Sequence, residues 1–79
     1  MSLNEAIITM PKEHVQNVFG QFDAFAKKIE KTLGVTIVLR EDQLKIIGNE
    51  QNARGAREVF NQLLELSKRG NVITEQNVN

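Results

Sequence analysis

Chemistry in this chain has few places to reside. There is one histidine, His14, no cysteine, and two serines, Ser2 and Ser67. Neither serine has a histidine or carboxylate beside it in sequence, so no nucleophile–base pair is legible. A lone imidazole without thiolates supplies no metal set. Glu41 and Asp42 are adjacent carboxylates, but between two β-rich runs they read as turn formers rather than as an acid/base pair. The cations offer more. Lys27, Lys28 and Lys31 lie off the apolar stripe of Phe25, Ile29 and Leu33, so all three are expected to be exposed together, where they would meet phosphate. Glu30 stands among them and dilutes their field, which favours an ordinary solvated face. Just upstream, Gly20-Gln21-Phe22-Asp23 links two apolar-periodic segments, and neither of its middle residues is basic.

The elements that position these residues follow from periodicity. Ala6 to Met10 is short, β-branched and apolar, and Pro11 ends it, so it reads as a strand. Val15, Val18, Phe19 and Phe22 follow at helical spacing, with Gly20 as a left-handed stop. Asp23 opens a second helix as its N-cap, expected to accept from the amides of Phe25 or Ala26. Phe22 is expected to fold back as a core staple. The stripe Phe22, Phe25, Ala26, Ile29 and Leu33 runs to Gly34. Val35 to Arg40 and Leu44 to Ile47 are strands around Glu41-Asp42-Gln43, which predicts a β-hairpin.

Gly48 and Asn49 end the hairpin and cap a long helix striped by Ala53, Ala56, Val59, Phe60, Leu63, Leu64 and Ser67. Within it, Arg54 and Glu58 are one turn apart and are expected to pair. Gly55 costs about 1 kcal/mol against alanine, and its expected reason is close packing. Arg57 reads as surface charge. Lys68 and Arg69 suit the negative end of the helix dipole, and Gly70 stops the helix. Beyond it, Val72-Ile73 is a short apolar pair, and Thr74-Glu75-Gln76 reads as the start of another helix. The order strand–helix–helix–strand–strand–helix predicts an α+β fold, with helices on one face of a three-stranded sheet.

Bulk properties bound the rest. The chain has 79 residues, 41% hydrophobic and 25% charged, with ten basic and ten acidic residues. That is enough for one globular domain with a marginal core. A net charge of zero predicts no strong bulk attraction to nucleic acid, so any such site must be a local patch. No apolar run is long enough for a membrane span, and Met1 to Pro11 lacks the pattern of a secretory signal. Without cysteine there is no disulfide framework, and a reducing, cytoplasmic setting is expected.

The element order resembles that of a KH domain, in which a GxxG loop joins the first two helices. Gly20-Gln21-Phe22-Asp23 stands at that place and matches the first glycine only. There, two glycines let a nucleic-acid backbone approach helix amides. Asp23 in the second position would instead occupy those amides and repel a phosphate. A closer resemblance is to the N-terminal region of PhoH-family ATPases. It is carried by Phe19-Gly20-Gln21-Phe22-Asp23, Leu33-Gly34-Val35-Thr36-Ile37, Leu44-Lys45-Ile46-Ile47-Gly48, Leu63 to Gly70, and Ile73 to Val78.

This resemblance implies a KH-like domain over residues 1–70, with residues 71–79 opening a linker toward a P-loop ATPase domain that would hold ATP and Mg. No G-x-x-x-x-G-K-[ST] string occurs in the chain, so a truncated piece of such a protein is expected. The implied function is a non-catalytic module that binds single-stranded RNA weakly. Its implied site is Gly20, Gln21, Phe22, Asp23, Lys27, Lys28, Lys31 and Arg40. The alternative is a packing module that docks on its own ATPase domain, or on sister subunits in a homo-oligomer of the parent. No catalytic or metal residue and no membrane partner is expected.

Overall fold

The computed structural model describes residues 3–78. Ser2 and Asn79, the last residue of the expected linker, lie outside them. In order, the chain forms β1 (Asn4–Thr9), α1 (Lys12–Phe19), a 3-10 turn (Gln21–Asp23), α2 (Ala24–Leu33), β2 (Thr36–Arg40), β3 (Gln43–Gly48), α3 (Glu50–Lys68) and the short α4 (Glu75–Val78). The three strands make one antiparallel sheet in the order β1-β3-β2. The α+β architecture expected from periodicity is the one observed.

The sequence of β3 suits its central position. Leu44, Ile46 and Gly48 alternate with Lys45 and Ile47, so one face is buried under the helices and the other is not. In register, Ile8 and Leu39 flank Leu44, while Ala6 and Ile37 flank Ile46. The helices lay Val18, Ala26, Ile29, Ala56, Phe60 and Leu63 on this face. Phe60 is fully enclosed, and its ring meets Phe19 at 5.8 Å in a tilted arrangement. β1 starts and ends earlier than the expected Ala6–Met10. The Met10 side chain is fully buried, and its amide continues the β1–β3 register one step past the strand by donating to the Asp42 carbonyl at 2.6 Å.

Asn49 caps α3 as its sequence position predicts, its Oδ1 accepting from the Asn52 amide at 2.8 Å. Two expectations on α3 are corrected. Arg54 pairs backward with Glu50 at 3.0 Å, not forward with Glu58. This pair is exposed and contributes little. Gly55 packs against nothing: a methyl group there would meet open space. The glycine therefore carries its helix cost without a packing return, and Gly55→Ala is expected to stabilise the domain by about 0.5–1 kcal/mol. A urea melt with an unchanged slope and a higher midpoint checks this.

Residues 71–78 pack back onto the domain. Asn17 on α1 holds them, its Nδ2 donating to the Asn71 carbonyl at 2.8 Å and its Oδ1 accepting from the Ile73 amide at 2.9 Å. Ile73 is buried, and Val78 packs against the core. Thr74 precedes α4, and the Asn77 side chain reaches back to accept from its amide at 2.9 Å. This is one half of a capping box.

Candidate nucleic-acid interface

The candidate surface begins at Gly20. Its backbone sits at φ 82°, ψ 171°, a region essentially restricted to glycine. A Cβ there would lie 2.6 Å from Cδ2 of Phe25. The glycine thus performs two tasks: it turns the chain out of α1, and it lets the Phe25 ring lie against the backbone. The amide of Asp23 closes the turn onto the Gly20 carbonyl at 3.1 Å.

Phe22 and Asp23 both adopt left-handed conformations, at φ 56° and 58°. This overturns two expectations. Asp23 makes no side-chain cap bond. An N-cap side chain needs an extended backbone to reach the amides two or three residues on, as Asn49 has at ψ 163°. From a left-handed backbone, Asp23 is exposed instead. Phe22 is no core staple either: it is 85% exposed at the turn. Phe25, half-buried against Gly20, takes the packing position that the periodicity also allows to Phe22.

The lysines of α2 separate. Lys27 and Lys31 are exposed. Lys28 is half-buried and lines a recess with Thr32, Leu33, Val59 and Val78 on the α3/α4 side. Arg40 ends β2 opposite Gln43, on the face it shares with Val38 and Lys45. Ile37 and Leu39 belong to the other face, toward α2. Of the expected site residues, Gln21, Phe22, Asp23, Lys27, Lys31 and Arg40 are exposed, Gly20 is buried within the turn, and Lys28 is half-buried.

Sequence reasoning misses one residue of this surface. Glu30, which in sequence is only a diluting charge, reaches across from α2 so that its Oε2 accepts from the Ile37 amide at 2.7 Å. β2 is an edge strand, and this carboxylate occupies a donor on its open side. Glu30 lies one residue past Ile29 and four past Ala26, at the margin of the apolar stripe. That spacing is the signal that it faces protein rather than water.

His14 and Ser67, without partners in sequence, meet at 2.7 Å between Nδ1 and Oγ. Ser67 is buried, and its oxygen also receives the Asn17 amide at 2.9 Å. This arrangement ties α1 to α3 and shields the hydroxyl from any substrate. Among the described residues no group of three or more histidines and carboxylates is placed to hold a metal.

Two helices between the first and second strands, a third after the last, and a sheet ordered β1-β3-β2 define the KH-type fold. Among solved structures, the first type I KH domain of human vigilin is similar, with a TM-score of 0.79 at 20% identity over 87% of this chain and 79% of that one. No protein-family model matches the chain, and no curated protein does.

Proposed function

We propose that the chain is a non-catalytic module that binds single-stranded nucleic acid, RNA first, through the Gly20–Asp23 turn and the exposed face of α2. The observation that carries this is the glycine-led turn at the α1–α2 junction of a KH-type fold, followed within two helical turns by Lys27 and Lys31. Asp23 and Glu30 stand beside those cations, so affinity is low and depends on salt.

Titration of labelled single-stranded RNA at low and moderate salt tests the reading. Lys27→Ala with Lys31→Ala should weaken binding and flatten the salt slope, by about one unit for each phosphate no longer neutralised. Lys28→Ala should matter less, because Lys28 faces the α3/α4 recess. No detectable binding at low salt by the native chain or by Glu30→Gln overturns the proposal.

A second reading has its own support. Asp23 and Glu30 set carboxylates near the expected phosphate contacts, which disfavours a polyanion and favours a module that docks on protein. The finer assignment, to the front end of a PhoH-family ATPase, is supported by the ordered short strings from Phe19 to Val78 alone. The coding sequence after Asn79 tests it: a G-x-x-x-x-G-K-[ST] string within the next domain is the expected result.

A further inference from the structure

We propose that Phe22 is a stacking platform for one unpaired nucleobase, an inference that rests on the nucleic-acid reading above. Two independent observations meet at this residue. Its side chain is 85% exposed, the most exposed of the large apolar side chains among the described residues. Its backbone is left-handed at φ 56°, ψ 31°, a conformation that aromatic residues rarely adopt. Glycine would occupy that position without strain, yet a ring stands there, and neither folding nor packing gains from it. Strain of this kind, held by a turn closed through the Asp23 amide, collects at ligand contacts.

The size of the feature selects its occupant. Gln21, Asp23 and Ala24, next to Phe22 along the chain, are exposed and short or polar. Val72 is the other exposed large apolar residue in this part of the fold, in a recess with Gly20 and Gln21. Leu3 and Ile7 are on or next to β1 instead. A single ring with one valine nearby falls far short of the roughly 800 Å² per partner of a stable protein interface. It matches the face of one base, and base–aromatic stacking is tolerant of sequence. Lys27 and Lys31 follow on α2 to meet the flanking phosphates, which gives base and backbone separate partners.

The experiment measures stability and binding on the same variants. Phe22→Gly removes an exposed side chain and relaxes a left-handed backbone, so its thermal midpoint should equal or exceed that of the native chain. Its affinity for single-stranded RNA should nevertheless fall about fivefold to a hundredfold. Its salt slope should stay unchanged, since the same phosphates remain neutralised. Phe22→Trp should keep the affinity, and Phe22→Leu should lose it. RNA carrying 2-aminopurine should be quenched by the native chain and not by Phe22→Gly. If the native chain binds and Phe22→Gly binds equally well, the platform is overturned and the nucleic-acid reading stands. Equal binding by Phe22→Leu reduces the contact to a generic apolar one and also overturns it. If the native chain ignores RNA at low salt, both fall, and Phe22 is better read as an anchor for a pocket on a protein.

Discussion

Phe60→Ala is expected to cost about 3–5 kcal/mol. Phe60 is the largest of the fully buried side chains, and it stands in the middle of α3, the helix that packs on β1 and β3. Truncation loses its transfer free energy, opens a cavity in the core cluster that Phe60 shares with Val18, Leu44 and Ile46, and removes the tilted ring contact with Phe19. A chain of 79 residues has a total stability on the order of 4–12 kcal/mol, so the variant should sit near or below its folding threshold at room temperature. Phe60→Leu keeps most of the volume and should cost on the order of 1 kcal/mol. A urea melt of both variants, with circular dichroism as the probe, separates the outcomes. A Phe60→Ala midpoint close to the native one would show that the neighbouring residues collapse into the space.

Phe60 is legible as core from its place in the stripe Ala53, Ala56, Phe60, Leu63 and Leu64, where spacings of three and four repeat along a long helix. The same logic recovers the hairpin and the Asn49 cap, because each depends on residues adjacent in sequence. It fails at the α1–α2 turn. There the apolar spacing of Phe22 and Phe25 is ambiguous by one helical turn, and the backbone decides between them. Gly20 packs against Phe25, the chain turns left-handed, and Phe22 is expelled. No periodicity records that choice. Asp23 misleads for the same reason: residue type favours a cap, but its φ forbids the geometry. His14 and Asn17 lie at least fifty residues from Ser67, so their contacts with it emerge only once α1 and α3 are placed. Gly55 shows the converse: a glycine in a helix invites a packing reason, and the fold supplies none.

These differences change the view of the interface. In sequence the lysines form one patch, because they share a helix face to within half a turn. Packing turns Lys28 partly into the recess beside Val59 and Val78, and it leaves two fully exposed lysines on α2 rather than three. Glu30 then places a carboxylate on the strand edge next to them. The balance of charge at this surface is close to neutral, so the proposed recognition would not rest on phosphate attraction alone. A neutral contact such as the Phe22 ring would carry more weight under those conditions.

Gly20→Ala is the other substitution with a large expected effect, and it acts through two separable causes. The first is backbone: φ 82° with ψ 171° costs a non-glycine residue about 1–3 kcal/mol. The second is steric. The added methyl would stand 2.6 Å from Cδ2 and 2.7 Å from Cγ of Phe25, and a ring cannot yield at those atoms without leaving its site. Overpacking of this kind typically costs a further ~1–3 kcal/mol. The two causes part in a double-mutant cycle with Phe25→Ala. Phe25→Ala alone loses the packing of a half-buried ring. Combined with Gly20→Ala, it removes the clash but not the backbone strain. The double variant should therefore be more stable than the sum of the single losses predicts, by about the steric share. Strict additivity in chemical melts would show that Phe25 moves aside freely and that the left-handed turn alone requires glycine. Either outcome identifies what holds the turn in the shape that presents Phe22, because the same Gly20–Phe25 contact fixes the path of the chain between them.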